Sequence, residues 1–134
     1  MSESEKPSRP QVVLNDKFIC DLVGIKLDKT ARGFARASLV LRENHLNGVG
    51  IVQGGVLFSI ADYAFAAASN YDENVVGVET SISFIRSVKS GTIYAEAEEV
   101  SRSRSFSVCR VRVFDENDNL LAIMNCRGYV LRAK

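Results

Sequence analysis

The stretch Asn47-Gly48-Val49-Gly50-Ile51-Val52-Gln53-Gly54-Gly55-Val56-Leu57-Phe58-Ser59-Ile60-Ala61-Asp62-Tyr63-Ala64-Phe65-Ala66-Ala67-Ala68-Ser69-Asn70 decides the fold. It opens as a glycine-rich loop, and from Val56 onward it holds neither Gly nor Pro over a length sufficient for about four helical turns. Its apolar residues occupy nearly every side of that helix, a pattern of burial rather than of a surface helix with one wet face. Such a rod, expected over 55–70, needs a sheet to wrap it.

Upstream, Leu14, Phe18 and Leu22 recur at four-residue spacing, with Asn15 placed to cap and Gly24 to stop a short amphipathic helix. Strand-like segments follow over 25–30 and 33–41, with a hairpin around Ala31 to Gly33 and with Ala35, Ala37, Leu39 and Leu41 on one face. Downstream lie four more, over 75–86, 91–100, 105–114 and 120–131, the last two joined by Asp115-Glu116-Asn117-Asp118-Asn119. The order helix, two strands, long helix, four strands lacks the alternation of a doubly wound sheet, so an α+β layered fold is expected.

The 134 residues suit one compact domain. Residues 1–12, polar and carrying both prolines, are expected as a flexible tail, and 13–134 as the single domain. A net charge of +1, from 17 basic and 16 acidic residues, gives no overall field toward nucleic acid or an anionic membrane. No stretch has the roughly 20 apolar residues of a membrane span. Cys20, Cys109 and Cys126 form no Cys-x-x-Cys pair, which points to reduced thiols in a cytoplasmic protein rather than a disulfide framework or zinc site.

Asp62 is the only Asp, Glu, Lys or Arg between Asn44 and Tyr71. On a helix it shares a stripe with Ser59, Ala66 and Ser69. A carboxylate on an apolar rod carries a desolvation penalty and a raised pKa, so it is retained when paired, hydrogen-bonded or useful. Either it bonds Ser59 or nearby backbone, or it does chemistry. Gly54 and Gly55 present bare backbone N–H groups at a helix start, where the dipole favours negative charge and a developing oxyanion could be received. The same glycines also suit a tight turn.

The run from His45 to Asp62 resembles the signature of hotdog-fold acyl-CoA thioesterases of the phenylacetate-degradation type: Asn, then Gly, then His-Gly-Gly, then an apolar helix with an acid seven residues past the second Gly. Asn47, Gly54, Gly55 and Asp62 match in spacing, and Thr80-Ser81-Ile82-Ser83-Phe84-Ile85-Arg86 resembles the strand that ends in Phe-Leu-Arg-Pro in that family. The likeness runs from about Asp16 to Val130, with Gln53 where the family usually has His and Ser87 where it often has Pro. Gln53 can donate a hydrogen bond but cannot titrate near neutral pH.

The resemblance implies a curved antiparallel sheet around a central helix, in a homodimer or homotetramer. It implies hydrolysis of an acyl- or aryl-acyl-CoA, a small-molecule substrate, without metal or other cofactor. It assigns Asp62 as general base or nucleophile, Gly54 N–H to the oxyanion hole, and Asn47 to orienting water or substrate. Gln53, Gly55, Arg86 and Ser83 are implied substrate contacts, and the groups of one site would come from two subunits. A non-catalytic acyl-CoA binder on the same fold is the alternative, motivated by Gln53.

Other motifs carry less. Gly48-x-Gly50-x-x-Gln53 lacks the third glycine and the β-α-β setting of a dinucleotide site. With His45 as the only histidine and no Gly-x-Ser-x-Gly, neither a serine triad nor a metal ligand set is present. Arg110 and Arg112 share a strand face and are expected to form solvated surface, while the resemblance implies Arg86, Lys89, Arg102 or Arg104 as candidates for coenzyme A phosphates.

Overall fold

The computed structural model describes residues 11–132. In chain order the elements are a short helix α1 (Gln11–Leu14), a π-helical segment (Lys17–Val23), strands β1 (Lys26–Ala31) and β2 (Phe34–Val40), a 3₁₀ turn (Glu43–His45), helix α2 (Gly54–Ser69), and strands β3 (Val75–Phe84), β4 (Thr92–Arg102), β5 (Phe106–Asp115) and β6 (Leu120–Val130). The tail expected over 1–12 lies outside the described residues except at 11 and 12, where the chain is already helical.

The six strands form one antiparallel sheet in the order β1-β2-β4-β5-β6-β3, wrapped around α2 in the hotdog arrangement. Period-two alternation supplies the inner face: Ala35, Ala37 and Leu39 of β2, Ile93, Ala95 and Ala97 of β4, Val111 and Val113 of β5, and Met124 and Cys126 of β6 are all buried. Alanine at the centre of this face lets the sheet close on the helix, whose Leu57, Ile60, Ala61, Ala64, Phe65, Ala67 and Ala68 fill the concavity. Gly77 and Gly128 pair across β3 and β6 and leave the space that the Phe65 ring occupies; a Cβ on Gly128 would stand 2.9 Å from that ring. Fully burying a Phe or Leu side chain contributes about 1.5–3 kcal/mol, so this helix face anchors the fold.

Three sequence expectations need correction. Helix α2 begins and ends one residue early, because Gln53 caps it and Ser69 closes it. Asp16, not Asn15, caps the N-terminal segment, its Oδ1 accepting the Ile19 N–H at 2.9 Å. That segment winds as a π-helix, which turns Ile19 inward (6% exposed) and leaves Phe18 (56%) and Leu22 (67%) outside. Gly24, at φ 91°, ends it as expected, in a left-handed conformation that glycine adopts without strain.

The outer face of the sheet is charged. Arg36 and Arg112 both reach Glu96, and Arg36 lies over the stacked Tyr94 and Phe114 rings, so the basic strand residues form a balanced, solvated surface as expected. Strand β3 differs from the rest. It is an edge, and of its residues Val75 alone is buried while Val76 and Val78 stand about half exposed.

Candidate functional site

The loop before α2 is held from both ends. Asn47 Oδ1 accepts the N–H groups of Val49 (3.0 Å) and Ile51 (3.3 Å), its own N–H donates to Ile51 O, and Leu46 and Val52 form a bridge. Gly50 takes φ 86° at the turn. His45 fixes the other side: its Nδ1 accepts from Arg42 N–H and its Nε2 donates to Val23 O at 2.9 Å, so this buried ring is a structural clamp and not a base.

Gln53 sits at the N-cap of α2, and its Oε1 accepts the Gly54 N–H at 3.0 Å. The Phe84 ring packs on Gly54 so closely that a Cβ there would stand 3.3 Å from the ring. Asn47, Ile51, Gly54, Phe84, Arg86 and Ser87 line one cavity of about 290 Å³. Asn47, Gly54 and Arg86, three of the residues singled out from the sequence, therefore share one apolar-walled pocket at a helix N-terminus. Gln53 adjoins it through Gly54. Ser83 does not belong to it, since alternation along β3 puts Phe84 on the inner face and Ser83, opposite Ile123, on the outer one.

Asp62 is eight residues further along α2, or about 12 Å from Gly54 at 1.5 Å per residue. It is half-buried and accepts no hydrogen bond among the described residues. Ser59, its possible partner in the sequence reading, donates instead to Gly55 O at 2.7 Å. The partly accessible stripe of the helix runs Gly55, Ser59, Asp62, Ala66, whereas Ser69 is buried and donates to Phe65 O. Burial raises the Asp62 pKa above the usual carboxylate range, and the negative charge of Asp16 adds to that rise. Across from Asp62 on β6, burial pushes the Cys126 thiol up to about 12, with the Asp62 carboxylate contributing.

Of the candidate phosphate ligands, Arg102 is committed elsewhere: it bonds Glu99 (2.9 Å), Glu73 (3.0 Å) and Ser69 O at the end of α2 (3.1 Å). Arg86 remains at the pocket. Phe84, Ile51 and Asp16 were not singled out from the sequence; Phe84 could have been found from its place in the strand that precedes Arg86. Among the described residues no group of three or more His, Cys, Asp or Glu is placed to hold a metal, and no helix is long and apolar enough to cross a membrane.

Comparison with known proteins places this geometry. A family model described as "Thioesterase superfamily" matches residues 49–122. The phenylacetic acid degradation protein PaaI of Thermus thermophilus is 32% identical and superposes with a TM-score of 0.83, covering 87% of this chain and 100% of its own. PaaI of E. coli, from the phenylacetic acid degradation operon, is 25% identical with a TM-score of 0.87, covering 92% of this chain and 91% of its own. The 1,4-dihydroxy-2-naphthoyl-CoA hydrolase of Listeria monocytogenes is 29% identical over 110 residues, 79% of this chain and 89% of that protein.

Proposed function

The chain belongs to the thioesterase superfamily, and from that premise we propose that it hydrolyses an acyl- or aryl-acyl-CoA thioester to the free acid and coenzyme A. The observation that carries this reading is Asp62: a half-buried carboxylate with no hydrogen-bond partner among the described residues, on the accessible stripe of an otherwise apolar helix. A desolvated carboxylate holds its proton more tightly and is the stronger base for it.

In the reaction, Asp62 takes a proton from water as the water oxygen attacks the thioester carbon. The carbonyl oxygen gains the negative charge and is received by the Gly54 N–H at the helix start, where the dipole favours it. The C–S bond then breaks, and the departing thiolate recovers the proton from Asp62. Alternatively the carboxylate attacks the carbon itself and expels the coenzyme A thiolate, which takes a proton from solvent; water then hydrolyses the mixed anhydride to the free acid, regenerating the Asp62 carboxylate and returning the proton to solvent. Asn47 Oδ1 is engaged in its own loop, which leaves the amide nitrogen to orient substrate or water. No step requires a metal or redox cofactor.

Gly54 and Asp62 of one chain stand too far apart to act on one carbonyl, as reacting groups must lie within about 3–3.5 Å. We therefore assign the site to a homodimer, in which Asp62 of one protomer meets the loop and Gly54 of its partner. The exposed edge and half-exposed valines of β3 favour pairing with a second copy, which removes an open sheet edge. Three free cysteines suit a reducing, cytoplasmic setting.

One observation favours a second reading, that of an acyl-CoA binder without turnover: Gln53 Oε1 already occupies the Gly54 N–H. Release of free thiol from a panel of alkyl and aryl acyl-CoA substrates at neutral pH decides between them. Hydrolysis of at least one member is expected; binding of acyl-CoA with no hydrolysis across the panel establishes the binder.

A further inference from the structure

One wall of the pocket has no part in the bond-making steps, yet it stands against the group that receives the carbonyl oxygen. Along β3 the period of two puts Ile82 and Phe84 on the inner face, opposite Met124 and Ala122 of β6. Ile82 packs against the core, whereas Phe84 reaches past it and stays more than half exposed. Its ring lies on the start of α2, where a Cβ built at Gly54 would stand 3.3 Å from Cζ and 3.4 Å from Cε1. The backbone around the ring is fixed. The N–H groups of Ile85 and Arg86 both donate to Leu121 O, at 2.8 and 3.2 Å, and the Val52 N–H donates to Val88 O at 2.9 Å, which ties the loop before α2 to the chain that follows Phe84. A large apolar side chain that rigid backbone holds over a pocket, and that the core does not use, is placed to touch what enters.

We propose that Phe84 is a specificity-determining residue whose ring forms the wall beside the thioester carbonyl and favours acyl groups unbranched at the carbon next to it. The inference rests on the reading of the Gly54 N–H as oxyanion donor. A carbonyl oxygen received there lies about 2.7–3.1 Å from the donor nitrogen. The ring already fills the space beside that residue, so a substituent on the adjoining carbon of the acyl group competes with it. The cavity of about 290 Å³ is at the lower bound of ligand sites, about 300–1,000 Å³, and so takes the acyl group rather than the whole acyl-CoA. Two of its other apolar walls, Val52 and Leu57, are buried core residues with no room to withdraw. Phe84 can turn toward solvent, which admits a branched group at a cost and makes the discrimination graded.

The test compares pairs of substrates that differ by one methyl group on the carbon beside the carbonyl: hexanoyl-CoA with α-methylhexanoyl-CoA, and phenylacetyl-CoA with α-methylphenylacetyl-CoA. Thiol release gives kcat/KM for each. The intrinsic slowing by the methyl group is common to all variants, so the readout is the change in the unbranched-to-branched ratio. Phe84→Ala is expected to lower that ratio about tenfold or more, the effect of one methylene in a close-fitting apolar pocket, and Phe84→Leu to lower it less. Truncation of an exposed ring spares the core; if Phe84→Ala does not fold, Phe84→Leu decides. A folded variant that keeps the wild-type ratio, whatever its rate, overturns the role of Phe84 alone. So does a wild type that treats both members of a pair equally, or dissociation of both variants to inactive monomers, which would make Phe84 an interface residue. A wild type that hydrolyses no acyl-CoA overturns the proposed reaction and this inference with it.

Discussion

A site shared between two chains can be tested by complementation of two inactive variants. Gly54 is the first residue of α2, where proline is favoured because its missing N–H has no partner within the helix. Gln53 precedes it at φ −61°, ψ 134°, an extended conformation compatible with a following proline. Gly54→Pro thus deletes the proposed oxyanion donor with little harm to the helix; the added ring presses on Phe84, which is 56% exposed and free to yield. Loss of one such donor lowers kcat by about 100- to 1,000-fold. Asp62→Asn removes the base, for a loss of about 100- to 10,000-fold, or roughly 2.7–5.5 kcal/mol of transition-state stabilisation. Mixed and allowed to exchange subunits, the two variants give half heterodimers. In each heterodimer one site carries both defects and the other carries neither. Thiol release should therefore recover to about one quarter of the wild-type rate per site, the value statistical pairing of a two-fold dimer sets. Were both groups of a site drawn from one chain, every site would stay defective, so a mixture no more active than its components, after exchange is verified by mass, refutes the shared site.

Light scattering at micromolar concentration should give at least a dimer mass, and a monomer would remove the basis for the shared site. Asp62→Asn should remain folded and bind acyl-CoA. Because the folded state raises the Asp62 pKa, the folded protein binds the proton more tightly than the unfolded chain, and stability falls as pH rises from the ordinary carboxylate value through the folded one. Asp62→Asn is accordingly expected to match or exceed wild type in urea denaturation at pH 7, with the difference vanishing below the ordinary carboxylate range; a less stable variant at pH 7 would make the carboxylate structural. At Gln53, substitution by His should hold kcat/KM within about tenfold, the effect of exchanging one donor for another, while Ala should lower it further. Equal, full activity in both variants would show that the position does not serve the reaction.

The sheet and the central helix were legible because their signals are local. Alternation such as Ala35, Ala37, Leu39 fixes which face of a strand is buried, and the absence of Gly, Pro and charge around Asp62 fixes a helix wrapped by the sheet. The N-terminal segment departs from its sequence period for a definite reason. Leu14, Phe18 and Leu22 satisfy an α-helical period, but the chain winds more widely there, and Ile19, off that period, takes the core position. Arg102 looked free in sequence because its partners at Glu73 and Ser69 O lie 29 and 33 positions away.

The site residues show a different limit, set by geometry rather than by range. The resemblance to the thioesterase signature joined Asn47, Gly54 and Asp62 as one motif, and a motif suggests groups that converge. On an α-helix, however, eight residues from Gly54 to Asp62 amount to more than two turns, so the same spacing that makes the pattern recognisable keeps its two ends from meeting. Asn47 and Gly54 line a pocket with Phe84 and Arg86, while Asp62 opens on the stripe with Gly55, Ser59 and Ala66. Each half lacks what the other holds: the pocket has the Gly54 N–H and no base, and the stripe has a carboxylate from which the helix start is remote, Gly55 lying seven residues, or about 10 Å, away. In the proposed dimer, two copies related by a two-fold axis would supply both halves twice, and the strand best exposed to bring them together, β3, is the one that carries Phe84 over Gly54 and ends two residues before Arg86.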